Sequence, residues 1–168
     1  KNRQTKATPV AALAGNPNVG KSTIFNALTG MRQHTGNWPG KTVSLAQGVC
    51  VYKGEEIRLV DLPGTYALVS KSQEETLAAG FISGGEADCV IAVCDATSLE
   101  RSLILALQVM ELTDRVIVCV NLMDEAQKQG IEIDLAALSF ELGVPVVAAS
   151  ASREEGMGEL LEQLRRIL

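Results

Sequence analysis

The segment GNPNVGKS, residues 15 to 22, constrains the fold of this chain more than any other feature of its sequence. It matches the pattern G-x-x-x-x-G-K-[ST], and it lies between the apolar run VAALA and the helix-like stretch KSTIFNALTG. Glycines in such a loop let backbone N–H groups turn toward phosphate oxygens, and the following helix presents the positive end of its dipole to them. The pattern therefore predicts a strand, a phosphate-binding loop and a helix.

Two side chains of this loop carry the expected chemistry. We expect Lys21 to reach the β and γ phosphates of a nucleotide and the Ser22 hydroxyl to bind magnesium. A glycine turn that only begins a helix is the alternative, and it would need neither residue.

Five short apolar runs alternate with helix-like stretches along the chain. They are VAALA (10–14), IRLVDL (57–62), CVIAVCD (89–95), RVIVCV (115–120) and PVVAAS (145–150). Continuous apolar runs separated by helices are typical of parallel strands covered on both faces. The segment VSLAQGVCVYKGEEIRLVDL adds a strand, because two strands joined around KGEE must pair antiparallel. We predict an α/β fold with a mostly parallel sheet of about six strands, one of them antiparallel, and helices on both faces.

The predicted helices cover residues 21–30, 72–83, 98–112, 133–143 and 155–168. Residues 31–42 form the longest break near the first helix, and we interpret them as a loop.

Length and charge limit the class of protein. A chain of 168 residues with 46% hydrophobic residues is sufficient for one domain, and we expect a polar tail over residues 1–9 and one domain over residues 10–168. The net charge of -5 argues against a nucleic-acid partner. No run of eighteen apolar residues indicates a membrane span, and the polar start KNRQTKATP does not resemble a signal peptide. A piece of a longer protein is one interpretation of a chain that starts at lysine and stops in LLEQLRRIL.

The cysteines and the single histidine form no metal-ligand pattern. Cys50, Cys89, Cys94 and Cys119 lie within or beside apolar runs, so we interpret them as buried thiols of a reducing compartment. We interpret His34 as a loop residue.

The segment DLPG, residues 61 to 64, ends the apolar run IRLVDL. A carboxylate there would stand at the carboxyl end of a strand, where open α/β sheets bind their ligands. We expect Asp61 to hold magnesium through water and the Gly64 N–H to meet the γ phosphate. Alone, D-x-x-G is most often a plain turn, but its place after a phosphate loop and two strands favours the functional interpretation.

The segment NLMD, residues 121 to 124, follows the apolar run VIVCV. An aspartate here can accept hydrogen bonds from the ring N–H and the exocyclic amine of guanine, whereas adenine offers no matching pair of donors. Asp124 is predicted to select guanine, although an aspartate before EAQKQ is also a candidate helix cap. In SAS, residues 150 to 152, the Ala151 N–H would meet the guanine carbonyl oxygen.

These segments together resemble a family. GNPNVGKS, a loop threonine, DLPG, NLMD and SAS, in this order, resemble the Ras-like P-loop GTPases from Val10 to Leu168. More narrowly, GNPN, GNWPG, DLPGTY, DATSLERSLILALQ and NLMD resemble the amino-terminal G domain of the FeoB family of bacterial ferrous iron transporters. The resemblance implies the binding of GTP and GDP with Mg²⁺, and slow hydrolysis of GTP to GDP and phosphate.

The resemblance also implies a cellular location and partners for the domain. We expect a soluble domain at the cytoplasmic face of the bacterial inner membrane, with the helical and transmembrane parts of the same transporter as partners. Neither part is present in this chain, and self-association is left open. The domain would couple its nucleotide state to the pore.

Within the loop 31–42, which resembles switch I, the resemblance implies that Thr42 binds magnesium and the γ phosphate in the GTP state. Thr65 stands where Ras-type proteins place a water-orienting glutamine, so slow intrinsic hydrolysis is expected. A potassium ion held partly by Asn18 would supply the missing charge and stimulate hydrolysis. Leu122 replaces a lysine that is common in the class, which predicts weaker nucleotide binding.

The predicted nucleotide-binding residues are Gly15, Asn16, Asn18, Val19, Gly20, Lys21, Ser22, Thr23, Thr42, Asp61, Gly64, Asn121, Asp124, Ser150 and Ala151. The predicted catalytic residues are Asn18, Lys21, Thr42 and Gly64. The predicted magnesium ligands are Ser22, Thr42 and, through water, Asp61, and Asn18 is the predicted potassium ligand.

Trp38 in GNWPGKT allows two interpretations. In one, it covers the nucleotide or docks on a partner in a single nucleotide state. In the other, it packs against the domain and anchors the loop. Lys41 and Ser44 stand where the family commonly has valine and glutamate, which alters the charge of this loop.

Two further functions remain as alternatives. An Era-like GTPase of ribosome assembly or RNA modification shares GNPNVGKST, but such proteins usually carry the lysine that Leu122 replaces. A module that binds guanine nucleotide without turnover would also keep all the candidate binding residues.

Overall fold

The computed structural model describes residues 7–30, 32–40, 42–69 and 71–168. Lys41 and most of the predicted tail over residues 1–9 therefore lie outside the described residues. No helix within the described ranges is long and apolar enough to cross a membrane.

The described strands form one sheet of seven, in the order β2-β3-β4-β1-β5-β6-β7. Their bounds are Val10–Gly15 (β1), Gln33–Asn37 (β2), Ser44–Tyr52 (β3), Glu55–Asp61 (β4), Cys89–Asp95 (β5), Val116–Asn121 (β6) and Val146–Ala148 (β7). Strand β3 pairs antiparallel with both β2 and β4, and every other pairing is parallel. The predicted fold class, a mostly parallel sheet with one antiparallel strand, is confirmed.

The sheet has one strand more than the approximate count from the sequence. The additional strand, β2, lies in the segment interpreted as a loop, and His34 is an exposed residue of this strand. Four of the five residues of β2 are exposed, so burial gives the strand no alternating apolar pattern. It is held by its antiparallel backbone pairing with β3, from Gln33↔Gly48 to Asn37↔Ser44.

Six α-helices are described around the sheet. They are Lys21–Thr29 (α1), Gln73–Ser83 (α2), Leu99–Leu112 (α3), Met123–Lys128 (α4), Leu135–Leu142 (α5) and Met157–Ile167 (α6). The five predicted helices correspond to α1, α2, α3, α5 and α6. The short helix α4 was not predicted.

Two apolar layers cover the two faces of the sheet. On one face, Ala12 of β1 belongs to a buried cluster with Phe81 of α2 and Ala106 of α3. On the other face, Leu13 belongs to a cluster with residues of α1 and α6. All six residues of β1 are buried, which explains why this strand reads as a continuous apolar run.

The four cysteines are free thiols in these layers, and their predicted burial is confirmed. Burial raises the pKa of Cys89, Cys94 and Cys119 to about 12, and it also raises the pKa of Cys50. These thiols are therefore protonated at neutral pH, as expected for core residues.

The parallel strands bring the candidate site together. Strands β1, β4 and β6 all point the same way, and their carboxyl ends carry the phosphate loop, Asp61 and Asn121. The register pairs Leu13 with Asp61 across β1 and β4, and Asp95 with Asn121 across β5 and β6. Segments that are far apart in the sequence therefore meet at one edge of the sheet.

Candidate functional site

The phosphate loop joins β1 to α1 through two residues of left-handed conformation. Asn18 has a φ of 68° and Gly20 a φ of 81°, and Gly20 caps α1. A Cβ atom on Gly20 would overlap Asn121 Nδ2, so only glycine fits there. The loop thus presents backbone groups and the amino end of α1 at the carboxyl edge of the sheet, which is the arrangement that binds phosphate.

Lys21 forms the central charge contact of the site. Its ammonium group pairs with the Asp61 carboxylate and donates to the Leu62 carbonyl oxygen at 2.7 Å. The two side chains are 9% and 14% exposed, so each charge needs the other for compensation. A phosphate group that binds Lys21 has to compete with the carboxylate, and a cation near Asp61 would favour that exchange.

The DLPG segment runs beside the phosphate loop. The Leu62 N–H donates to the Leu13 carbonyl oxygen at 3.0 Å, and the Thr65 N–H donates to the Gly15 carbonyl oxygen at 3.1 Å. A Cβ atom on Gly64 would lie 3.3 Å from the nitrogen of Pro17, a tight contact with the loop backbone. The lack of a side chain at Gly64 therefore allows this segment to approach the phosphate loop.

Asn121 joins the phosphate loop to the SAS segment. It is 1% exposed, its Nδ2 donates to the Val19 carbonyl oxygen at 3.0 Å, and its Oδ1 accepts from the Ala151 N–H at 3.0 Å. The Ala151 N–H, which the sequence predicts to meet the guanine carbonyl oxygen, donates to Asn121 in this structure because β6 ends with the Asn121 amide between the two loops. Its contact with guanine stays a prediction.

Asp124 lies within α4 and does not cap it. The cap residue is Leu122, with φ 63° and ψ 31°, and no side chain caps this helix end. The Asp124 N–H donates to Ser150 Oγ at 3.1 Å, while Asp124 Oδ1 is buried without a hydrogen-bond partner among the described residues. A buried acceptor left unpaired costs about 1–3 kcal/mol, so a ligand that donates a hydrogen bond fits this carboxylate.

A second buried acceptor of this kind is Asn16 Oδ1, which also has no partner within the described part of the chain. Asn16 is 6% exposed and lies in the phosphate loop. Sequence reasoning placed it in the binding set without a separate role.

The predicted magnesium ligands lie on separate segments. Ser22 and Thr23 are exposed at the start of α1, and Asp61 pairs with Lys21, the residue before Ser22. Hydroxyl and carboxylate oxygens are the ligand types that Mg²⁺ prefers, so Ser22 and Asp61 fit the ion. Thr42 is exposed, and no hydrogen bond of the described residues joins it to Ser22 or Asp61.

Trp38 is buried, with 5% of its surface exposed. It packs against Phe81 of α2, and the guanidinium group of Arg58 lies over its ring. This arrangement corresponds to the anchoring interpretation. Arg58, Phe81 and Glu86 were not identified from the sequence, because no local motif connects them with Trp38.

A mostly parallel sheet, a phosphate loop that opens α1, and an aspartate and an asparagine at the carboxyl ends of β4 and β6 define a P-loop G domain of the GTPase type. A family model described as "Ferrous iron transport protein B" matches residues 9–164. The chain belongs to this family, and it corresponds to the FeoB amino-terminal G domain.

Curated relatives agree with this assignment. The Fe(2+) transporter FeoB of Salmonella typhimurium strain LT2 is 47% identical over 152 residues, which cover 88% of this chain and 20% of that protein. The FeoB of Escherichia coli strain K12 is 46% identical with the same coverage. The chain therefore spans about a fifth of the length of the curated relatives it matches.

Solved structures extend the similarity to three dimensions. The G domain of the T. maritima FeoB iron transporter has a TM-score of 0.87 and 45% identity, over 95% of this chain and 98% of that one. The cytosolic domain of the same transporter in its GMPPNP form has a TM-score of 0.89 and 46% identity, over 95% and 63% of the two chains. The FeoB G domain of Methanococcus jannaschii has a TM-score of 0.83 and 43% identity, over 95% and 97%.

Proposed function

We propose that this domain binds GTP and GDP with Mg²⁺ and hydrolyses GTP slowly, as the nucleotide switch of a ferrous iron transporter. The observation that carries the proposal is the joint placement of Lys21, Asp61 and the unpaired Asp124 carboxylate oxygen at one edge of the sheet. The similar T. maritima domain has been solved in GDP and GMPPNP forms, which supports guanine nucleotide as the ligand.

Different residues of the chain bind the phosphates and the guanine base. Lys21 and the backbone N–H groups of residues 15–22 bind the phosphates, and Lys21 exchanges its Asp61 partner for a phosphate oxygen. Asp124 accepts hydrogen bonds from guanine, and Asn121 keeps the two loops at a fixed separation. Ser22 and Asp61 would hold Mg²⁺, which neutralises phosphate charge when it is bound.

Hydrolysis needs compensation for the charge that develops on the phosphates. Thr65 occupies the position of the glutamine that orients water in Ras-type proteins, and its side chain is 6% exposed. We propose that K⁺ held partly by the exposed carboxamide of Asn18 supplies positive charge there. Asn18 has a left-handed backbone conformation and is exposed, so its carboxamide is accessible to an ion.

The role in transport follows from family membership and not from a residue of this domain. No cluster of three or more His, Cys, Asp or Glu side chains suited to a metal ion occurs in the described residues. We propose that the nucleotide state is transmitted to the helical and transmembrane parts found in whole transporters. The domain would then act at the cytoplasmic face of the inner membrane.

Phosphate release from GTP tests the proposal. Purified domain with Mg²⁺ is expected to release phosphate slowly, faster in K⁺ than in Na⁺, and to prefer GTP over ATP. Asn18→Ala should remove the difference between the salts, while Asn37→Ala, an exposed asparagine on β2, should keep it. Equal rates in both salts for the unchanged domain would contradict the role of potassium.

A guanine-nucleotide-binding module without turnover is the second candidate, favoured by the threonine at position 65. It predicts guanine-specific binding with no phosphate release in either salt. Tight binding of ATP would contradict both candidates, because adenine offers Asp124 no matching pair of hydrogen-bond donors.

A further inference from the structure

Trp38 occupies a slot built by three residues from distant parts of the chain. Its ring meets Phe81 edge-on, with centroids 5.1 Å apart and planes at 69°. The Arg58 guanidinium carbon lies 4.9 Å from the ring centroid, and the indole N–H donates to Glu86 Oε2 at 3.0 Å. We call Arg58, Phe81 and Glu86 the Trp38 slot. The indole is thus held by an aromatic contact, a cation–π contact and a charge-assisted hydrogen bond.

Further hydrogen bonds attach the backbone around Trp38 to the sheet. Gln47, which is 4% exposed, donates to the Gly36 carbonyl oxygen at 3.1 Å and accepts from Arg58 at 3.1 Å. The Trp38 N–H donates to the Val43 carbonyl oxygen at 3.0 Å. Strand β2 and Trp38 therefore form one unit with β3 and with the slot.

This unit lies away from the phosphate loop. The strand order places β2 three strands from β1, which is roughly 14 Å at normal strand spacing. Thr42 lies in the short connection that the bond between Trp38 and Val43 closes, and it is exposed. Because Trp38 and Val43 close this connection, movement of Thr42 toward the γ phosphate would pull on the segment that Trp38 anchors.

We propose that Trp38 and its slot form a latch that holds residues 33–38 on the edge of the sheet and lowers the affinity for the triphosphate relative to the diphosphate. The proposal rests on the proposed function, since it requires Thr42 to respond to the γ phosphate. A latched fraction of the protein reduces apparent triphosphate affinity in proportion to the unlatched population. GDP lacks the γ phosphate, so its affinity does not depend on the latch.

The slot also connects residues 33–38 with α2 and the segment that follows it. Phe81 belongs to α2, which follows DLPG in the sequence, and Glu86 lies three residues after the end of that helix. Release of Trp38 therefore removes a contact of α2 as well as one of β4, which carries Arg58. In this way the latch links the loop that carries Thr42 to the helix that follows Gly64.

Calorimetric titration of the domain with GMPPNP and with GDP, each with Mg²⁺, tests the latch. Trp38→Ala is expected to tighten GMPPNP binding about tenfold, and Trp38→Phe and Glu86→Gln about threefold, with GDP affinity unchanged within twofold. Phe140→Ala removes an aromatic ring that is 85% exposed on α5, and it should change neither affinity. Equal affinity changes for both nucleotides in the slot variants would overturn the proposal.

Quenching by acrylamide gives a second readout on the unchanged protein, because Trp38 is the only tryptophan. Its fluorescence should become severalfold more accessible to acrylamide with GMPPNP and Mg²⁺ than with GDP and Mg²⁺. If both nucleotides bind and Trp38 stays equally shielded, the latch is wrong while the proposed function stands. If neither nucleotide binds, the proposed function fails, and the latch fails with it.

Discussion

Replacing Asn121 with alanine should damage both the stability and the nucleotide site of this domain. Asn121 is the last residue of β6, and its amide forms hydrogen bonds with Val19 of the phosphate loop and Ala151 of the SAS segment. The variant removes both bonds without changing a charge. The two loops then lose their direct connection.

The magnitude follows from what the substitution leaves behind. The Val19 carbonyl and the Ala151 N–H belong to residues that are 3% exposed, and each buried group left unpaired costs about 1–3 kcal/mol. We expect the free energy of unfolding to fall by about 3 kcal/mol or slightly more. For a chain of this size, 1 kcal/mol corresponds to about 2–4 °C, so Tm should drop by about 6–12 °C.

Thermal melting and urea unfolding followed by circular dichroism measure the effect. Asn37→Ala is the matched control, because Asn37 is exposed on β2, and we expect it to change stability by less than about 0.5 kcal/mol. GTP affinity should fall for Asn121→Ala and stay unchanged for Phe140→Ala, whose ring is exposed on α5. A loss of less than about 1 kcal/mol for Asn121→Ala would refute the reasoning, since it would mean that water or a rearranged loop satisfies both groups.

Three further perturbations test other parts of the site and core. Asp124→Asn should reduce GTP affinity at least about a hundredfold and favour a xanthine nucleotide, because the C2 carbonyl of xanthine accepts a hydrogen bond from the new amide. A competition assay with both triphosphates measures this preference, and an unchanged preference for guanine would contradict the role of Asp124. Leu122→Lys should raise guanine nucleotide affinity severalfold by restoring the side chain common in the class, and calorimetry showing equal or weaker binding would contradict it. Finally, Cys89, Cys94 and Cys119 have a pKa of about 12 in the folded state, against about 8.5 for an unfolded thiol. Because burial raises the folded-state pKa, the contribution of these thiols to the free energy of unfolding is complete below pH 8.5 and declines as the pH rises above it. Between pH 8.5 and 9.5, each thiol should lower the free energy of unfolding by about 1 kcal/mol. An unchanged urea midpoint over this interval would show that the thiols do not titrate as expected.

The parts of the fold that could be predicted are those in which local sequence and burial agree. Strands β1, β5 and β6 are buried along almost their whole length, so each appears as an unbroken apolar run. Strand β2 could not be found in this way, because QHTGN is polar and the strand is formed by backbone bonds to β3. Helix α4 was missed because it has six residues and begins without a side-chain cap.

The site also has parts that could be predicted from local sequence and parts that could not. The phosphate loop and DLPG could be predicted because their glycines and charged residues are set by local chemistry. The Trp38 slot could not, because Trp38 and Glu86 are 48 residues apart and only the folded sheet brings them together. The Ala151 N–H illustrates the same limit, since its partner Asn121 is 30 residues away.

Leu122 shows how a strained residue can serve the site. A left-handed conformation costs a leucine roughly 1–2 kcal/mol, and a glycine at this position would avoid the cost. The conformation lets the chain pass directly from β6 into α4, so that Asn121 faces the phosphate loop and Asp124 lies beside Ser150. The leucine side chain lies next to the phosphate loop, with Cδ2 4.0 Å from the point where a Cβ of Gly20 would be. A glycine at position 122 would relieve the backbone, but it would also remove this side chain from beside Gly20.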